Sequence, residues 1–133
     1  MRERDPVFEH QALVNLDCGG SNQEIVQFDG DQVDLEGIEL VELLVTIWGI
    51  VGTNAQLVFE MADTQDTPVG SSTAVATYTA AGVTPGASPQ TPVLISVAYP
   101  RTSPFFRRRF LRWRWTQIAL GDYVTFRSQL VVR

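Results

Sequence analysis

The chain has 133 residues, a formal net charge of −5, 44% hydrophobic and 19% charged residues, one cysteine and one histidine. That is one domain's length with the material for a packed core, and the lone Cys18 excludes a disulfide-stapled scaffold. No apolar run reaches the roughly 18 residues that a membrane-spanning helix needs.

Residues 1–22 read as an N-terminal arm or peripheral segment, with His10 on its surface. Met1 to Pro6 is charged and no apolar signal core follows, so no secretory leader is expected. Ile25-Val26-Gln27-Phe28 is a short apolar strand ended by the turn-like Asp29-Gly30-Asp31. Leu40 to Trp48 follows, with apolar residues on both parities, as in a strand covered on both faces. Helical spacing through Ile38, Val41, Val45 and Trp48 competes, but the β-branched Val45-Thr46-Ile47 and the flanking glycines favour strand.

Leu57, Phe59 and Met61 alternate along the next strand, and Ala74 to Thr79 is another. Val93 to Tyr99 alternates and stops at Pro100, which has no N–H for a ladder. Phe110 to Thr116 puts Leu111, Trp113 and Trp115 on one side, with at least one tryptophan buried. Tyr123 to Val132 places Val124, Phe126, Ser128, Leu130 and Val132 on one face, and Tyr123, Thr125, Arg127 and Gln129 on the other. The connectors, such as Gly49 to Asn54, Ala62 to Ser72 and the uncharged Ala80 to Pro92, are rich in Gly, Pro, Ser and Thr. Seven or eight short strands with such connectors predict a single-domain, all-β antiparallel sandwich or jelly roll over residues 23–133, with an extended N-terminal segment.

No enzyme motif is present. A His/Cys zinc site needs several such ligands, and the chain has one of each. Cys18-Gly19-Gly20-Ser21-Asn22 has neither a P-loop ending nor dinucleotide-binding spacing, and no base beside Cys18 activates its thiol. Asp29 to Glu39 is acidic but fails the EF-hand pattern: Val33 stands at the fifth position and Asp34 at the glycine. It reads as a solvated turn or an arginine partner. Glu60, Asp63 and Asp66 could supply a glycosidase pair only if folding set their separation. No catalytic residue, cofactor or metal is expected.

All ten basic residues are arginine, and charge is segregated along the chain. Residues 1–66 hold fourteen acids against two arginines, net −12; residues 67–133 hold eight arginines against the single acid Asp122, net +7. The two halves are expected to attract each other, within one fold or between copies. Arg107-Arg108-Arg109-Phe110-Leu111-Arg112-Trp113-Arg114-Trp115 has the interleaved charge and rings that suit single-stranded nucleic acid. The alternation is accounted for more simply by a core strand that buries its tryptophans and offers Arg112 and Arg114 to a partner strand or chain. The acidic isoelectric point, about 4.7, also argues against a nucleic-acid partner.

Four stretches carry a resemblance: Leu43-Leu44-Val45-Thr46, Gln56 to Asp63, Val93 to Pro100, and Arg109-Phe110-Leu111-Arg112-Trp113 ahead of Gly121 and a last strand. In their order they resemble the small capsid-decoration or cement proteins of tailed bacteriophages, of the kind found on Bordetella phage. The resemblance runs from about Val41 to Val132; the N-terminal third and the Arg107 to Arg109 run depart from it. It implies a non-catalytic jelly roll, made in the host cytoplasm, that sits on the outer surface of the virion head and clamps neighbouring major capsid proteins. Candidate contacts with the capsid or a second copy are Phe105, Phe106, Arg107, Arg108, Arg109, Arg112 and Arg114. Arginine suits bidentate pairing in desolvated contacts, and aromatics after Pro104 suit anchors. A homo-oligomer is expected, a dimer ahead of a trimer, because identical copies can mate acidic and basic surfaces. The alternatives are a tail or neck component and a carbohydrate-binding jelly-roll module.

Overall fold

The computed structural model describes residues 7–28, 31–35, 40–62, 73–80, 93–96 and 110–132. They form nine strands: β1 (Val7–Leu16), β2 (Gln23–Val26), β3 (Val33–Asp34), β4 (Leu40–Val51), β5 (Gln56–Ala62), β6 (Thr73–Thr79), β7 (Val93–Ser96), β8 (Phe110–Gln117) and β9 (Tyr123–Val132). Two antiparallel sheets result. One has the order β1-β9-β4-β7; the other has β2-β8-β5-β6, with β3 also on β8. β2 pairs with Arg114 to Gln117 and β3 with Phe110 and Leu111, so the two act as one interrupted edge strand. Every connection then crosses between the sheets except the β5–β6 hairpin, which is the winding of a jelly roll.

The core lies where period-2 alternation puts it. Val124, Phe126, Ser128 and Leu130 of β9 and Leu111, Trp113 and Trp115 of β8 are all buried. Both tryptophans therefore point inward, as the alternation predicts. The sheets meet through edge-to-face rings, Trp113 on Phe126 (5.6 Å between centroids) and Phe59 on Phe126 (6.1 Å), and Phe59 also meets Tyr78 of its own sheet edge-on at 6.1 Å. Such pairs add about 0.5–1.5 kcal/mol each beyond their buried area.

Three details differ from the expectations. β1 is not a peripheral arm: Val7 to Leu16 pairs with Val131 to Val124, and His10 is 3% exposed. Phe28, expected to continue β2, lies beyond the strand and is 82% exposed; the Asp31 N–H donates to its carbonyl across the turn. β5 is buried on both faces, because Val58, Glu60 and Ala62 are as enclosed as Leu57, Phe59 and Met61. On β4 the outer face is enclosed at Thr46 and opens at Trp48, where the register shifts between Ile47 and Gly49.

Candidate interaction surfaces

Antiparallel register fixes the fate of the arginines on β8. Glu60 of β5 stands opposite Arg112, and Val58 opposite Arg114, on the face turned away from the tryptophans. Arg112 donates from Nη2 to Glu60 Oε2 at 3.0 Å, and Arg114 from Nε to Glu60 Oε1 at 2.7 Å. Arg114 Nη1 also lies 3.5 Å from Glu24 Oε2 on β2. The Arg112 and Glu60 side chains are 2% and 1% exposed. Arg112 is thus an internal ion-pair partner rather than a contact surface, and Arg114 is three-quarters or more enclosed beside it. Glu60 is bound to two guanidiniums and holds no proton-transfer position. Arg107, Arg108, Arg109, Phe105, Phe106, Asp63, Asp66 and the 81–92 stretch lie outside the described residues.

On the other sheet Arg127 of β9 grips Glu9 of β1 with two hydrogen bonds, 2.7 and 2.9 Å, in solvent. Those bonds hold the Glu9 carboxyl below its ordinary range. Each of these pairs joins an acid of the first half to an arginine of the second. The charge segregation is therefore used within the fold, strand against strand.

The remaining polar candidates have structural roles. Cys18 sits in the β1–β2 turn, half-buried against the core, where burial and then Asp17 push its thiol up. Gln117 is fully buried: its Oε1 accepts from the Cys18 N–H (2.8 Å) and its Nε2 donates to the Gly20 carbonyl (2.7 Å), pinning that turn. Among the described residues no group of three or more His, Cys, Asp or Glu could hold a metal.

The described surface also exposes large apolar groups, several of them at the two ends of the sandwich. At the end where β8 turns into β9, Ile118 and Leu120 are 38% and 73% exposed. Tyr123 stands opposite Val51 on the outer face, and its ring edge lies against Gly49, 3.6 Å from where a Cβ would be. Exposed Trp48 precedes that glycine. At the opposite end Val7 and Phe8 open β1, and along the edges between the ends lie Leu13 of β1 and Phe28 after β2, all half or more exposed. The sequence did carry one signal of the first cluster: Ile118-Ala119-Leu120 is apolar where a strand-to-strand turn is ordinarily polar. Large exposed apolar groups gathered at one place mark interaction sites.

The fold and these surfaces define a class: a jelly-roll domain whose described arginines, Arg112, Arg114 and Arg127, are each paired with an acid, and which exposes several large apolar side chains. No family model, curated protein or solved structure matches the chain.

Proposed function

We propose that this chain is a virion structural protein that decorates and cements a phage capsid, clamping neighbouring major capsid proteins. One observation carries the reading: exposed apolar residues at both ends of a jelly roll, Trp48, Val51, Leu120 and Tyr123 at one and Val7 and Phe8 at the other. A clamp needs two contact patches held at a fixed distance, and linking two modest contacts raises overall binding well above either alone. The strand order and the four short sequence resemblances are in keeping with it. Self-association belongs to the same proposal, with a dimer as the expected form.

Mass spectrometry of particles purified from the source is the test. Copy number stoichiometric with the major capsid protein, in the head fraction, is expected. Finding the chain only in tails makes it a tail or neck component, and its absence from particles removes the virion role. Light scattering at tens of micromolar tests the dimer.

A second reading has an observation of its own. Trp48 and Tyr123 stand exposed on one outer face with Thr125 and Asn15 close by, an arrangement that suits stacking on a sugar ring. Titration with glycans read by tryptophan fluorescence separates the two: buried Trp113 and Trp115 stay silent, while Trp48 responds only to a bound saccharide.

A further inference from the structure

β1 is an edge strand of unusual construction. Its ten residues, Val7–Leu16, oppose the eight from Val124 to Val131, so it carries two extra residues, with breaks between Glu9 and Gln11 and between Gln11 and Val14. Such bulges interrupt the ladder and re-aim side chains. The first one sends two consecutive side chains, His10 and Gln11, toward the opposite sheet. His10 Nε2 lies 3.2 Å from the Leu111 carbonyl of β8, which can only accept, so Nε2 carries the proton. Nδ1 is then the acceptor for the Ser128 hydroxyl of β9 at 3.0 Å. Gln11 Oε1 accepts from Trp113 Nε1 at 2.8 Å, and Gln27 Nε2 donates to the His10 carbonyl at 3.0 Å.

The apolar hold is slight by comparison. Within β1 only His10 and Leu16 are buried, while Val7, Phe8 and Leu13 are each half or more exposed. β1 is therefore fastened across the sandwich by a polar latch at His10 and Gln11, with its apolar packing confined to the Val14 and Leu16 end.

We propose that β1 is a releasable edge strand, and that protonation of His10 opens the latch while the rest of the sandwich stays folded.

The surroundings of the ring make protonation unfavourable as long as the strand is docked. Ser128 can rotate to accept from a protonated Nδ1, so the hydrogen bonds survive. Among the described residues no counter-charge faces the ring. From β9 the ring meets Ser128; from β8, the Leu111 carbonyl; from β5, the Phe59 ring at 5.8 Å; from the β2–β3 connection, Gln27. The described charged groups nearest in sequence face away: Glu9 and Arg127 lie on the outer face of one sheet, Glu60 and Arg112 on the outer face of the other. Burial accordingly pushes His10 down to about 4 from its ordinary 6.5. A detached strand returns the imidazole to water, so acid favours detachment, by roughly a hundredfold at pH 4.5 relative to neutral pH.

The test is amide hydrogen exchange on the full chain at pH 7.5 and 4.5, corrected for intrinsic rates. Amides of Val7–Leu16 should lose roughly a hundredfold protection in acid and exchange well ahead of the β4–β9 ladder, which gives up the same factor only through global unfolding and from a higher starting protection. As the chain's single histidine, His10 gives one unambiguous imidazole resonance, whose titration should accompany the loss. His10→Gln keeps two hydrogen-bonding ends without a titrating ring and should remove the acid response of β1. Three results overturn the proposal: β1 as protected at pH 4.5 as at 7.5; β1 no less protected than the β4–β9 ladder at pH 4.5; or His10→Gln retaining the acid response. The first two are read on the unmodified chain and stand even if the variant fails to fold.

Discussion

Glu60 separates two kinds of ion pair in this molecule. Its carboxylate serves two arginines, one of them fully enclosed, so Glu60→Ala leaves a buried guanidinium without its anion. A loss of about 3–5 kcal/mol is expected, read as a lower urea midpoint with unchanged slope. The solvent-exposed Arg127–Glu9 pair has no such leverage, and Arg127→Ala should leave the midpoint nearly where it was. His10 sets the pH response. Its native state resists a proton that the unfolded chain accepts at its ordinary 6.5, so stability is complete above pH 6.5 and falls as pH drops toward about 4. The full loss is of the order of 3 kcal/mol, and urea melts at pH 7.5 and 5 should differ accordingly, with His10→Gln flattening the slope.

At the scale of elements, the two turns at one end of the sandwich are locked together. Asp122 Oδ2 accepts from the backbone N–H of Ile118 and Ala119 (3.2 and 2.9 Å), closing the β8–β9 turn. The same carboxyl fills the space beside Gly52 in the β4–β5 turn, where a Cβ would meet Asp122 Cγ at 2.8 Å at a φ of +147°. Asp122→Ala should cost about 1–3 kcal/mol through two unmade bonds. Gly52→Ala should destabilise too, through strain and collision at once, and thermal melts of both variants check this.

The strands that face the core were legible because alternation is periodic: β8 and β9 could be assigned face by face from Trp113, Trp115, Phe126 and Leu130. β1 was not, because its two bulges break the period and its inward anchors are His10 and Gln11, residues that ordinarily mark a surface. The pairing of Glu60 with Arg112 and Arg114 was hidden for another reason. Register between strands some fifty residues apart is set by the whole sheet, and only the charge segregation hinted that such partners existed.

For the whole molecule, the proposed clamp depends on surface that contributes little to stability. Trp48→Ser together with Leu120→Ser removes two exposed groups and should shift the urea midpoint only slightly. The same pair should markedly lower occupancy on purified particles; full occupancy would move attachment away from that end.

The order of strands has a further consequence, for synthesis. β9 lies between β1 and β4, and β8 between the β2–β3 edge and β5, so these two strands are made after the partners they join. Until they emerge, β1, β2 and β5 wait as unpaired edges, the condition in which nascent β proteins aggregate. Each of those strands carries a glutamate, Glu9, Glu24 or Glu60, in a stretch of net −12. Like charge keeps the waiting strands from adding to one another, and the arginines of β8 and β9 lift that repulsion by pairing with the very same carboxylates. A 1–109 fragment should therefore stay dispersed and unfolded, and replacing the three glutamates with glutamine should turn it into an aggregate, as sedimentation of the two fragments would reveal.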